Sequence, residues 1–168
     1  MFDLKPIAAD AVPAALEKAN RYRLLNEPEQ AESICEDVLR IDPGNQEAVV
    51  TLLLAHTDRF SDPRPASPQA ARDLLPRLYG EYERAYYAGL VAEREGIAWL
   101  RSGKPRAGRT AYHCLREAMD WFEKAEVLRP AANDDALLRW NSCARLIEAH
   151  PDLAPDEDRL EVAASLGE

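Results

Sequence analysis

The stretch Pro28-Glu29-Gln30-Ala31-Glu32-Ser33-Ile34-Cys35-Glu36-Asp37-Val38-Leu39-Arg40-Ile41-Asp42-Pro43 decides the fold. Ala31, Ile34, Cys35, Val38 and Ile41 recur at spacings of three and four, which places them on one face of an α-helix. Leu39 widens that stripe. Pro28 falls in the first turn, where its missing N–H costs nothing, and Pro43 stops the helix after its last turn. A second stretch repeats the pattern. From Ala31, the residues Cys35, Val38 and Pro43 stand at offsets 4, 7 and 12; from Ala118, the residues Phe122, Ala125 and Pro130 stand at the same offsets. Asn45 and Asn133 follow the prolines as caps for the next helices.

Helical period continues on both sides, and strand signals are nearly absent. A preceding helix is expected over Ala14–Leu25. A third runs over Gln46–Arg59, and its centre, Ala48 to Ala55, is apolar all round, so neighbours must cover it on more than one side. Phe60-Ser61-Asp62-Pro63-Arg64-Pro65-Ala66-Ser67 reads as a loop. Ser67 and Pro68 then start a helix carrying Ala71, Leu74, Leu75 and Leu78, which Pro76 should kink or end early. Two long helices follow, over Glu81–Arg101 and Pro105–Arg129, joined by the turn Ser102-Gly103-Lys104-Pro105. Along the first, Ala85, Gly89, Ala92, Gly96, Trp99 and Gly103 recur at spacings of four and three. Two glycines inside a helix cost about 1 kcal/mol each against alanine, which is tolerable where another helix packs closely on that face. The last helix begins after Asn133, with Asp134 and Asp135 in its first turn and a stripe of Ala136, Leu137, Trp140, Cys143, Ala144 and Ile147. His150-Pro151 ends it. The acidic tail 151–168 is expected to hold at most a short helix.

The alanine, bulky residue, alanine and terminal proline resemble the second half of a tetratricopeptide (TPR) repeat. Small residues let two helices approach, the bulky one fills the gap, and the proline ends the hairpin. Ala19 and Tyr22 match the small and aromatic positions of the first half, while Ala15 and Lys18 stand where Trp and Leu are usual. The resemblance implies an all-α, right-handed superhelix of about three TPR-like hairpins plus a C-terminal capping helix, forming one domain over 1–150. Ala31 and Ala118 are 87 residues apart, and 17 of the surplus residues fall inside the third hairpin. That lengthens each of its helices by roughly two turns, or about 12 Å.

The resemblance also implies a binding module. The first helix of each TPR hairpin lines a concave groove, and here the groove would present Leu16, Asn20, Arg23, Val50, Leu54, Thr57, Tyr86, Leu90 and Arg94. Asn20 matches the family's clamp for acidic tails, but Leu16 and Thr51 replace its lysine and asparagine. The largely apolar groove suits an extended or helical partner segment better. Size, acidity and three repeats are similar to those of bacterial secretion chaperones of this family. A self-associating, homo-oligomeric structural role is the second reading.

Charge divides the chain. The net charge of −9 splits into −5 over residues 1–60, +3 over 61–110 and −7 over 111–168. An acidic whole disfavours general nucleic-acid binding, which needs a basic footprint. The basic middle centres on Arg101, Lys104, Arg106 and Arg109, at the expected tip of the long hairpin. An acidic partner or plain solvation would account for it. No apolar run suits a membrane span or a signal peptide, so a cytoplasmic location is the default expectation.

No catalytic constellation stands out, and no cofactor is implied. Ser102-Gly103-Lys104-Pro105 lacks the glycine spacing and preceding strand of a phosphate loop. His113 and Glu117 lie four apart on one helix face and would supply two metal ligands, but a second pair is missing. Glu93 and Glu95 flank Arg94 as a solvated, salt-bridged face would. Cys114 points to a different face from His113, so the two do not form a nucleophile–base pair. Cys35, Cys114 and Cys143 are odd in number and far apart, and read as buried thiols.

Overall fold

The structure, a computed structural model, describes residues 2–154. Among these the chain forms seven α-helices and no strand: α1 Val12–Leu24, α2 Pro28–Ile41, α3 Gln46–Asp58, α4 Pro68–Arg72, α5 Glu81–Arg101, α6 Ala107–Leu128 and α7 Asp135–Glu148. They form two compact units, Met1–Gly80 and Glu81–Glu168, so the domain expected over 1–150 is divided after Gly80. The expected tail helix lies outside the described residues.

In the first unit α1 and α2 form a hairpin. Asn26 takes a left-handed conformation with φ 59°. Glu27 N–H then donates to Tyr22 C=O at 2.9 Å and Asn26 N–H to Arg23 C=O at 3.0 Å. This pair of bonds satisfies the last carbonyls of α1, and asparagine tolerates the required backbone better than most residues. The stripe on α2 does what its spacing predicts: Ala31, Cys35 and Val38 have no exposed surface. Asn45 accepts a hydrogen bond from Ala48 N–H at 2.9 Å and so caps α3. The apolar α3 is covered on several sides, because α1, α2 and α4 all pack against it.

The helix after Ser67 stops at Arg72, and a single 3-10 turn, Leu75–Arg77, follows. Pro76 explains this, since it has no N–H to offer the Arg72 carbonyl and its ring would clash there. Ala71, Leu74 and Leu78 still reach the core. The Gln46 side chain ties this segment to the start of α3. Its amide nitrogen donates to the Arg77 carbonyl at 3.1 Å, and its oxygen accepts from Tyr79 N–H at 2.9 Å.

The second unit is a long hairpin, α5 and α6, with α7 packed along it. α5 has 21 residues and α6 has 22, against 13 and 14 in α1 and α2, as the surplus inside this hairpin requires. Ala118, Phe122 and Ala125 have no exposed surface, like their counterparts on α2. Gly89 faces Phe122: a Cβ there would lie 2.7 Å from the ring. Gly96 lies against α6, where a Cβ would stand 3.2 Å from the Ala111 carbonyl oxygen. Close helix approach is therefore what the two glycines permit.

Two expected boundaries shift. α6 begins at Ala107 rather than Pro105, because Lys104 to Ala107 form a turn closed by Ala107 N–H to Lys104 C=O at 3.1 Å. Proline precedes its third residue, Arg106, which is left-handed with φ 63°. That conformation favours glycine and costs an arginine roughly 1 kcal/mol. Asn133 sits two residues before α7 and accepts from Asp135 N–H at 3.0 Å and from the Tyr82 hydroxyl at 3.2 Å. It thus anchors the helix start to α5 as well as serving its first turn.

Candidate functional site

The expected groove residues of the first unit lie along α1 and α3. Leu16 and Thr57 are core residues, each 3% exposed, and present almost nothing to a partner. The other four are half-buried. Polar bonds hold the two helices side by side. Thr51 Oγ1 donates to Asn20 Oδ1 at 3.2 Å, and Asn20 Nδ2 donates to Glu47 Oε1 at 3.3 Å. Further along, Arg23 Nε meets Asp58 Oδ2 at 2.8 Å. Asn20 and Arg23 are thus engaged within the chain, and Val50 and Leu54 remain as the half-exposed apolar positions.

Behind these lies a charged cluster that the sequence reading missed. Glu32 on α2 meets His56 Nδ1 at 3.3 Å and Arg59 Nη1 at 2.9 Å, and Arg59 Nη2 also reaches Glu29 at 3.3 Å. Glu29 and Glu32 are three apart on α2, and His56 in the last turn of α3 stands three residues before Arg59, which caps that helix. Same-helix spacing puts each pair on one face, but only the packing of α2 against α3 brings the two pairs together.

In the second unit the three groove candidates separate. Leu90 is 2% exposed and belongs to the core, whereas Tyr86 and Arg94 are half-buried. Tyr86 stacks on Tyr82 with ring centroids 5.8 Å apart and leans on Phe122 at 6.0 Å. Tyr86, Asp135, Leu138, Arg139 and Ser142 line a surface cavity of about 380 Å³.

Glu93 corrects the sequence reading. It is 3% exposed, not solvated, and Arg139 Nη1 donates to its two carboxylate oxygens at 3.4 and 3.3 Å. Arg139 also shares a hydrogen bond with Tyr86. Burial pushes the Glu93 carboxyl above its usual range, and the neighbouring Arg139 and Arg94 offset this only in part.

Arg101, Lys104, Arg106 and Arg109 are all exposed at the end of the long hairpin. Ser102 Oγ donates to the Trp99 carbonyl at 2.7 Å and accepts from Lys104 N–H at 3.3 Å, which shapes the turn. The Lys104 ammonium then lies 5.4 Å above the Trp99 ring.

The cysteines are all free and buried. Burial pushes the thiols of Cys35 and Cys143 up to about 12. At pH 8 only about one thiol in ten thousand is then ionised, and the thiolate is the reactive form. Both are expected to resist iodoacetamide in the folded chain and to react fully in denaturant, as peptide mass mapping after timed labelling would show. Among the described residues no group of three or more His, Cys, Asp and Glu side chains is placed to hold a metal ion. No helix among them is long and apolar enough to cross a membrane.

No family model matches the chain, and neither a curated protein nor a solved structure matches it.

Proposed function

We propose that this chain is a protein-binding helical-repeat module that takes an extended or helical partner segment along the α1–α3 face. One observation carries the reading: α1 packs directly beside α3, the helix that opens the next hairpin. Side-by-side first helices are what a TPR-like superhelix builds its groove from. The buried matches Ala31 with Ala118, Cys35 with Phe122 and Val38 with Ala125 support the same repeat. Since Arg23 is neutralised by Asp58, apolar anchors suit this face better than an acidic tail.

Val50→Glu and Leu54→Glu, tested singly, are expected to reduce capture of the native partner at least tenfold while the circular-dichroism melting temperature falls only a few degrees. Undiminished capture by both folded variants would remove the α1–α3 face from the reading. Arg23→Glu is a poorer probe, because it sets a second carboxylate against Asp58 and destabilises the hairpin itself.

Self-association is the second reading, favoured by large exposed apolar side chains: Leu24 is 89% exposed and Val127 87%. Light scattering coupled to gel filtration distinguishes it, since a monomer at micromolar concentration excludes it.

A further inference from the structure

We propose that the basic end of the α5–α6 hairpin docks a short acidic segment of a partner protein, on a surface that belongs to a different unit from the α1–α3 face. From Gly96 to Arg116 the sequence has no acidic residue, but it has the cations Arg101, Lys104, Arg106, Arg109 and Arg116. All of them are exposed, and among the described residues no carboxylate pairs with any of them. Asp152, next to the Leu153 that rests against Gly108, is exposed and forms no ion pair with them either.

The fold itself does not call for these charges. Cations are disfavoured at the start of a helix and acids at its end, because of the direction of the backbone dipoles. α6 carries both in the unfavourable order. Arg106 immediately precedes it and Arg109 stands in its first turn, whereas Glu117, Asp120, Glu123 and Glu126 run from its middle to its last turn with only Lys124 among them. Arg106 is also held left-handed at φ 63°, a conformation that suits glycine. A turn that sets its cations against local stability has its reason in something bound to it. The patch is short, and its surroundings select the occupant. A nucleic-acid strand would run on from it to Glu117 and Asp120, both exposed, and be repelled there, whereas a short acidic segment ends within the patch. A membrane anchor would carry apolar side chains beside its cations, and none of the large exposed apolar side chains lies on this turn. Arginine, which supplies three of the four cations at the turn, presents a planar fork that matches a carboxylate.

Fluorescence anisotropy of labelled poly-L-glutamate with the full-length chain tests the docking. Exposed ion pairs of ordinary surface strength at the four turn positions together amount to about tenfold in affinity. Arg101→Gln, Lys104→Gln, Arg106→Gln and Arg109→Gln combined should therefore weaken probe binding about tenfold at low salt. The parent should release the probe in about 0.5 M salt, where screening is short-ranged. The variant's melting temperature at low salt is expected to equal or exceed the parent's, since the cations oppose the dipole of α6. A parent that does not bind the probe, or two forms of equal affinity, overturns the proposal. A lower melting temperature in the variant also overturns it, because the cations would then serve the fold. Tighter binding of the parent to a single-stranded oligonucleotide of matched charge assigns the surface to nucleic acid instead, and tighter binding to phosphatidylserine vesicles assigns it to a membrane. Light scattering that finds the parent dimeric and the variant monomeric at low salt assigns it to a second copy of the chain.

Discussion

Arg139→Met is expected to destabilise the second unit by about 3 kcal/mol at pH 7, because it strands a buried carboxylate without its partner. The estimate stays at the lower end of the range for broken buried pairs, since the Arg139 side chain is 39% exposed and water reaches into the site. The loss should depend on pH in a fixed direction. Glu93 is already held above its usual carboxylate range in the folded chain. A carboxyl with a raised folded pKa lends stability below its unfolded pKa, and that stability is lost as pH rises through the folded value. Removing Arg139 raises the carboxyl further, so the variant should approach the parent near pH 4.5 and fall away from it toward neutrality. Urea denaturation from pH 4.5 to 8 measures this. Adding Glu93→Gln should recover most of the loss at pH 7 and flatten the profile. A pH-independent deficit would mean that Arg139 acts through packing alone.

Gly89→Ala sets two effects against each other. Alanine gains about 1 kcal/mol of helix propensity over glycine. Its Cβ, however, would lie 2.7, 2.8 and 3.0 Å from three atoms of the Phe122 ring. Phe122 has no exposed surface and is enclosed by the core that contains Met119, Ala125 and Cys143, so the ring cannot withdraw without moving α6. Overpacking of this kind costs about 1–3 kcal/mol and should win, lowering the melting temperature by roughly 4–8 °C for each net kcal/mol. Phe122→Leu in the Gly89→Ala background should be less damaging than in the parent, since it gives the methyl group room. Additive effects of the two substitutions would show that the ring and the glycine are not coupled.

Periodicity together with its bracketing residues located α2 and α5 closely, Pro28 and Pro43 bounding one and Gly80 and Gly103 the other. Pro76 shortened α4 for a reason visible in one residue. The 17 surplus residues became two longer helices because a hairpin absorbs an insertion most simply by extending both arms. What stayed hidden depended on distant partners. Glu93-Arg94-Glu95 reads as a solvated face until α7 lays Arg139 beside it, 46 positions along the chain. Leu16, Thr57 and Leu90 read as groove residues from the repeat register. They are buried because the helix face that meets solvent is narrower than the register assigns to it. Arg106 reads as the first turn of α6, whereas the preceding proline and a left-handed backbone place it in a turn.

The brevity of α4 gives the first unit an uneven cooperativity. Five residues are too few for a helix to hold itself in water, so α4 depends wholly on what it is packed against. Ala71, Leu74 and Leu78 supply that packing from one side, and the Gln46 amide clasps the backbone that follows. The segment between Phe60 and Gly80 is therefore expected to open with a smaller free energy than the α1–α3 core it packs against, which native-state hydrogen exchange would read as earlier exchange of its amides. Such opening would bare the side of α3 that α4 covers, a surface the closed form does not show.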